Sequence, residues 1–302
     1  MFSGQGRRQS QAKTSHLWKV DRHSYSLRSG RPSYFFGTIH VPYSQVSDSI
    51  PDIVFEAFQE ADHIYTEVDL DSTSPEVLDE TRKCMLLPGH QKLSDVLPED
   101  LYSRLKSYLP GPTSEWERLH PFFLINMVEA IQRKPSNLQE TEDSDLDQII
   151  SNTAVSNGKD VSGIQQPQES LSFLQEVDMS VFIQELNDTL QRAEKVLKDL
   201  APPDEVEEMD ERIKKYRSGE LGAETMLSGN EFVAKLQQVL LKKRNQVMAA
   251  RAIQLIKDNP KTSFFFAFGV GHFRASSQWS SILDIVREAG FQVRHVPSGK
   301  ET

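Results

Sequence analysis

Residues 33–41 read SYFFGTIHV, and residues 263–273 read SFFFAFGVGHF. In each stretch a run of aromatic and β-branched residues leads into the pattern Gly-x-x-His, as Gly37–His40 and Gly269–His272. Apolar runs of this length and composition are typical of buried strands. The sequence therefore predicts two buried strands, each with a glycine and then a histidine at its carboxyl end.

The two stretches belong to an internal repeat. Residues 49–54 (SIPDIV) begin nine residues after His40, residues 281–286 (SILDIV) begin nine residues after His272, and five of the six positions are identical. A repeated strand–helix–strand unit predicts an α/β fold. We expect a mixed sheet built from two related strand-helix-strand repeats with a helical middle insertion. Such a sheet would bring His40 and His272 together. If the similarity of the two segments is instead a chance match, the sequence does not predict that the two histidines are close.

The first copy has the clearest local pattern. Helical spacing over Asp48–Ala61 predicts an amphipathic helix with Pro51 tolerated in its first turn. His63–Leu70 follows as a second strand that carries Glu67. Strand–helix–strand units of this kind are typical of parallel strand pairs.

Charge divides the chain into two regions. Residues 1–32 hold seven Lys and Arg against one acidic residue, whereas the whole chain has a net charge of −10. This contrast predicts a basic, flexible N-terminal arm over residues 1–32, either solvated or in contact with anionic lipid. Residues 33–298 then form one domain with a mostly helical insertion at about 75–258. Within the insertion, Pro121–Ile131 is too apolar for a surface helix, and Lys159–Ile164 predicts a brief strand.

Composition excludes several classes of protein. The net charge of −10 argues against nucleic-acid binding, which requires a positive field. Cys84 is the only cysteine, which excludes an intrachain disulfide and a Cys-based zinc cluster. No segment reaches the ~18 apolar residues of a membrane span, and the first twenty residues lack the apolar centre of a signal peptide. The chain as written is expected to be soluble, without an export signal.

Three side chains have the chemistry of a metal site. His40 and His272 follow predicted strands, where sites form in open α/β sheets. Glu67 lies in an otherwise apolar strand. A carboxylate at such a position is expected to be a third metal ligand, a general base or an ordinary ion-pair partner. Two histidines and a carboxylate suit catalytic zinc, manganese, iron or cobalt. Because such a metal polarises carbonyl groups and activates water, this donor set predicts a hydrolase.

Further residues are weaker candidates. Gly37 and Gly269 are expected to shape the turns and to permit close approach of a bound group. Arg244, in the predicted long helix before the second motif, either points at the site, to stabilise an oxyanion or to clamp a carboxylate, or belongs to a solvated basic face. Asp69 has the same direction as Glu67 on the strand and could exchange roles with it. Asn187 begins an Asn-Asp-Thr glycosylation sequon, a triplet that is common by chance.

Several motifs together resemble one known family. The runs are LWKV, SYFFGTIHVP, IYTEVDLD, CMLLPGHQKLSDVLPEDLYSRLK, ELNDTLQ, LLKKRNQVMAARA and FFFAFGVGHF. They are similar to the Tiki metalloproteases, which belong to a wider group with the TraB/PrgY, GumN and erythromycin-esterase-like proteins.

The resemblance implies a specific activity. It implies a membrane-associated glycoprotein of the cell surface, plasma membrane or secretory pathway. It also implies a metalloendopeptidase that cleaves the N-terminal region of Wnt ligands and so inhibits Wnt signalling. The implied cofactor is Mn²⁺ or Co²⁺, with zinc as an option. The family's functional positions correspond here to His40, Glu67, Arg244 and His272, and the sequon at Asn187 matches a family position.

The sequence also departs from the family pattern. The export signal, the membrane anchor and most of the family's cysteines are absent from the sequence as written. An acidic residue of the family is replaced by Gln165. If that carboxylate helps to hold the metal, Gln165 weakens the site. Two alternatives therefore stand beside the protease: a non-catalytic metal- or haem-binding module, and an inactive scaffold that keeps a Wnt-binding surface.

Overall fold

The computed structural model describes residues 15–22, 30–68, 74–132, 144–197, 205–221 and 231–298. The strands in these ranges are β1 (Leu17–Arg22), β2 (Ser33–Thr38), β3 (His63–Val68), β4 (Asp160–Gln165), β5 (Phe264–Gly269) and β6 (Phe291–His295). The α-helices are α1 (Asp52–Glu60), α2 (Pro75–Cys84), α3 (Leu93–Val96), α4 (Glu99–Tyr108), α5 (Pro121–Gln132), α6 (Leu146–Ser156), α7 (Pro167–Ser170), α8 (Met179–Leu197), α9 (Glu205–Ser218), α10 (Glu231–Asp258) and α11 (Ile282–Glu288).

The six strands form one mixed sheet in the order β4-β3-β5-β2-β1-β6. The first four strands in this order are parallel, and β1 is antiparallel to both of its neighbours. Thr38 at the end of β2 pairs with Gly269 at the end of β5. The two Gly-x-x-His motifs therefore leave the sheet side by side, and the predicted α/β fold is confirmed.

Helices cover both faces of the sheet. Because successive side chains of a strand point to opposite faces, Phe36 packs with Phe265 on the face that α1 and α6 cover. Phe35 packs with Phe266 on the opposite face, under α10 and α11, with ring centroids 4.9 Å apart. Continuous burial on both faces explains why the motif strands read as unbroken apolar runs.

The repeat appears in the structure with an interleaved topology. The two strands of the first copy, β2 and β3, are parallel as predicted, but β5 of the second copy lies between them. In the second copy, β5 and β6 are separated by β2 and β1. The two copies thus share one sheet, and the first strand of each copy, β2 or β5, lies at the centre of that sheet.

The first helix begins later than predicted because of Pro51. In the second copy, Ser281 caps α11 and the helix starts at the next residue, Ile282. The corresponding residue Ile50 precedes a proline, which disfavours helical backbone, and it is extended, with φ −81° and ψ 116°. Pro51 is consequently the N-cap of α1 rather than a residue of its first turn.

The predicted N-terminal arm over residues 1–32 is wrong for Leu17–Arg22, which form strand β1 inside the sheet. Leu17, Trp18 and Val20 are buried there. The basic residues around this short apolar run favour a solvated arm in the sequence, but Lys19 and Arg22 are themselves only partly buried in the strand. Residues 1–14 and 23–29 of the predicted arm lie outside the described residues.

The insertion builds a separate apolar core. Leu124 and Val128 of α5 are fully buried in this core with residues of α4 and α8, as the apolar sequence of α5 predicts. The brief strand predicted at Lys159–Ile164 is β4, shifted by one residue, and it extends the parallel part of the sheet. Among the described residues, the helices are all too short or too polar to cross a lipid bilayer.

Candidate functional site

The site lies at the carboxyl ends of adjacent parallel strands. Glu67 is the penultimate residue of β3, Gly269 ends β5, and His40 follows the end of β2 by two residues. Gln165 ends β4, beside Val68 of β3. Loops leave parallel strands at this edge, which is where ligands bind in open α/β sheets.

Glu67 is the centre of the site. Its Oε1 atom accepts a hydrogen bond from the backbone N–H of Gly269 at 2.7 Å and lies 3.4 Å from His272 Nε2. Its Oε2 atom accepts from Arg244 Nη2 at 2.6 Å. Burial acts to raise the pKa of Glu67, but His272, Arg244 and the Gly269 N–H outweigh it and hold that pKa well below its ordinary value. Glu67 is therefore ionised at neutral pH.

Arg244 joins the ends of two strands. It lies on α10 and donates from Nε to Gln165 Oε1 at 2.8 Å, besides its bond to Glu67. The Arg244 side chain is only 19% exposed, so it belongs to the site rather than to a solvated basic face. Gln165 is a buried, neutral partner of Arg244. A planar guanidinium held at two edges has a fixed orientation.

His272 is oriented by Asn245, a helix residue for which the sequence pattern predicts no role. The Asn245 side chain is fully buried on α10, and its Nδ2 atom donates to the Ser280 carbonyl at 2.9 Å. Its Oδ1 atom must then face His272 Nδ1, 2.6 Å away. Since an amide oxygen only accepts, Nδ1 carries a hydrogen. His272 Nε2 therefore faces the Glu67 carboxylate.

His40 has a carboxylate partner that the sequence did not reveal. Its Nδ1 atom lies 3.1 Å from Asp147 Oδ2, and Asp147 Oδ1 accepts from Thr38 Oγ1 at 2.8 Å. Asp147 lies in the first turn of α6. Its carboxylate raises the pKa of His40 to about 9. Nothing in the sequence separates Asp147 from the other acidic residues near it, because the contact arises only when α6 packs on the sheet.

The motif glycines allow close approach of chain segments. A Cβ atom on Gly269 would lie 3.0 Å from Glu67 Oε1, and one on Gly37 would lie 3.0 Å from the Val270 side chain. Gly269 has φ −51° and ψ 132°, a conformation that other residues adopt. At Gly269, the glycine is thus needed for space beside the carboxylate, and the predicted turn-shaping role is secondary.

Two other predicted positions lie apart from this cluster. Asn187 is on α8, where its Oδ1 accepts from Arg104 at 2.9 Å, and Thr189 of the same sequon is buried. Glycosylation at Asn187 stays a prediction. Asp69, the proposed substitute for Glu67, lies outside the described residues.

The donor set fits a divalent metal ion. With Nδ1 of His272 protonated, Nε2 faces Glu67 Oε1 at 3.4 Å, where the carboxylate charge attracts either a proton on Nε2 or, in its place, a metal ion. Metal bonds of about 2.0–2.2 Å to nitrogen and oxygen would span this separation. Among the described residues, no group of three His, Cys, Asp or Glu side chains is preassembled as a metal site. The His40 side chain is 69% exposed and would supply the third donor from the neighbouring strand end.

Comparison with known proteins adds independent information. The chain is 30% identical to metalloprotease TIKI2 of Xenopus tropicalis, 29% to metalloprotease TIKI1 of Danio rerio and 29% to metalloprotease TIKI1 of Homo sapiens. Each alignment covers 95% of this chain and 60%, 64% and 63% of the respective relative, so the chain spans about three fifths of their length. The comparison with solved structures gave no match. The model of the TraB/PrgY/gumN family matches residues 17–295, from the start of β1 to the end of β6, and the chain therefore belongs to that family.

Proposed function

We propose that this chain is a metal-dependent endopeptidase that cleaves the N-terminal region of Wnt ligands and so lowers Wnt signalling. The observation that carries the proposal is the meeting of Glu67, His272 and Arg244 at the edge of the sheet, with His40 on the adjacent strand end. Support for peptide-bond hydrolysis also comes from relatives named as metalloproteases. The Wnt substrate rests on the resemblance of the sequence motifs.

His40, His272 and Glu67 would hold the metal, with Mn²⁺ or Co²⁺ as the expected ion and zinc as an option. Bound there, the ion supplies Lewis acidity toward a carbonyl oxygen and toward water. Asp147 and Asn245 each occupy the Nδ1 side of one histidine, which leaves Nε2 of both rings as the donor. Such outer partners fix the orientation and the tautomer of metal-binding histidines.

Glu67 is better suited to binding a metal than to accepting a proton. A general base works best when its pKa is near the working pH, whereas the pKa of Glu67 is held well below its ordinary value. A buried carboxylate that stays ionised is a suitable ligand. Arg244 then both orients Glu67 and presents positive charge where the carbonyl oxygen of a substrate becomes negative.

The direct test is to incubate the purified protein with a Wnt ligand, with Mn²⁺ and with chelator, and to measure intact mass. The expected result is removal of an N-terminal segment only with Mn²⁺. His272→Ala should abolish the cleavage, and His90→Ala, which changes an exposed histidine outside the site, should retain it. An unchanged Wnt mass with both Mn²⁺ and Co²⁺ would refute the proposal.

A parallel binding experiment distinguishes the two other functions. Calorimetric metal binding without cleavage would favour a non-catalytic metal-binding module, and a shift and sharpening of the haem Soret band on addition of the protein would favour a haem-binding one. Co-precipitation with the Wnt ligand without metal binding or cleavage would favour an inactive scaffold. The exposure of His40 supports testing these alternatives, because one of the three proposed metal donors lies in solvent rather than in a preformed site.

A further inference from the structure

A cavity of about 210 Å³ lies beside the site, on the other side of Arg244. It is bounded by α10, by the end of β4 and by the segment that follows α7. Val239, Leu240 and Val247 of α10 form one wall and Phe173 faces them. Most of the exposed surface inside the cavity is apolar, although charged side chains such as Arg244 and Glu169 also line it.

The charged groups around the cavity are already paired. Glu169 accepts two hydrogen bonds from Arg251, both at 2.7 Å, and Glu176 forms an ion pair with Lys243. Arg244 is bound to Glu67 and Gln165. A charged occupant would lose its hydration without gaining a free partner of opposite charge, which is costly. The cavity therefore suits an uncharged, apolar group.

The volume of the cavity limits which apolar side chains it can hold. An apolar protein cavity of roughly 150 Å³ holds a benzene molecule. A cavity of about 210 Å³ therefore accepts a side chain the size of leucine, methionine or phenylalanine. Alanine would leave most of the apolar wall uncovered.

The cavity is connected to the reacting groups through two shared side chains. Arg244 and Gln165 line the cavity, and Arg244 binds Glu67 on its other side. We infer that the cavity is a substrate subsite that takes the uncharged, apolar side chain of a peptide residue close to the bond that is cut. This inference rests on the proposed peptidase function for its role in cleavage, but binding in the cavity is testable without it.

The test uses photo-crosslinking of peptides by the purified full chain. Acetylated peptides of glycine, serine and alanine would carry one photoreactive leucine analogue at the centre, and mass spectrometry would map the crosslinks. We expect crosslinks to Phe173 and to the segment from Val239 to Val247. The inference would be overturned if the crosslinks were distributed over the whole protein surface, or if they occurred only at residues outside the cavity.

Two matched variants of α10 extend the test to cleavage. Val247→Phe fills the cavity, whereas Gln246→Phe adds the same side chain at an exposed position of the same helix. Val247→Phe should lower the crosslink yield and slow the cleavage of a leucine-containing Wnt-derived peptide by roughly 10–200-fold, the range for a changed fit in an apolar pocket. Gln246→Phe should change neither value.

The outcomes separate this inference from the proposed function. Crosslinks in the cavity without cleavage would support the subsite and refute the peptidase. Cleavage that is equally fast in both phenylalanine variants, with crosslinks elsewhere, would support the peptidase and refute the subsite. If Val247→Phe fails to fold, the wild-type crosslink map still decides whether the cavity binds an apolar side chain.

Discussion

Replacing Asn245 by leucine should show whether this amide orients His272, the proposed metal ligand, in addition to stabilising the fold. The amide is fully buried and bridges the Ser280 carbonyl at 2.9 Å and His272 Nδ1 at 2.6 Å. Leucine has a similar size but leaves both polar groups without their partner. Each unsatisfied buried group costs about 1–3 kcal/mol, so Asn245→Leu should lower the free energy of unfolding by roughly 2–6 kcal/mol.

The same substitution should weaken metal binding. Without the amide oxygen, the Nδ1–H of His272 has lost the acceptor that fixes the ring and its tautomer. Loss of such an outer partner typically lowers metal affinity by 10–100-fold. Calorimetric titration with Mn²⁺ and Co²⁺, carried out at a temperature where the variant is still folded, would measure this change.

Asn245→Asp is the matched control. A carboxylate still accepts from the Nδ1–H of His272, but it has no hydrogen to donate to the Ser280 carbonyl. Stability should therefore fall in both variants, while metal affinity falls in the leucine variant and is kept in the aspartate variant. Equal loss of metal affinity in both, in proportion to their loss of stability, would refute the idea that Asn245 acts through the orientation of His272.

The remaining predictions concern the proposed ligands and their partners. His40→Ala and His272→Ala should each abolish the binding of Mn²⁺ and Co²⁺ in calorimetry, and equal affinity in His90→Ala and either of them would refute the assignment. Glu67→Gln should weaken the binding of Mn²⁺, because a neutral amide replaces an ionised ligand, and cleavage should fall in parallel. Arg244→Ala should lower cleavage by about 10²–10³-fold; undiminished cleavage in either folded variant would remove that residue from the site. The pKa of His40, raised to about 9 from 6.5 by its carboxylate partner, means that metal must displace a proton at neutral pH. Affinity for Mn²⁺ should rise up to about tenfold per pH unit from pH 7 to 9, and equal affinities at both ends would contradict this. In the metal-free chain, the same contact stabilises the fold below pH 6.5 and loses its contribution as pH rises through 9.

The sheet could be predicted from the sequence in its parts but not in its order. Each Gly-x-x-His strand reads as buried because both of its faces are covered. The order of the strands depends on how the two copies interleave. The sequence of the first copy does not indicate that β5 of the second copy will lie between β2 and β3. Strand β1 is hard to predict for a different reason, because the basic residues around Leu17–Arg22 outweigh its short apolar alternation.

The candidate site was predictable for the residues attached to the strand ends and, through the family resemblance, for Arg244 on α10. His40, Glu67 and His272 follow from the rule that parallel strands present their carboxyl ends at one edge. Asn245 and Asp147 contact these residues from helices, and their side chains meet the histidines only after the helices pack on the sheet. A buried polar residue on a helix looks like any other polar residue until its partner is known.

The two copies of the repeat contribute unequally to the site, and strand β1 explains the difference. In the first copy, Glu67 near the end of β3 accepts from the backbone N–H of Gly269 on the adjacent strand. The repeat aligns Gly269 with Gly37 and, when the second helix is taken as four residues shorter than the first, it aligns Glu67 with His295 at the end of β6. Yet β1 lies between β2 and β6, and the N–H of Gly37 donates to the backbone carbonyl of His16, immediately before β1, at 2.8 Å. His295 is thereby held on the far side of β1. Because β1 occupies the place where a second donor-bearing strand would have to lie, the duplicated sheet supplies two histidines to the site but only one side chain of the kind that Glu67 provides.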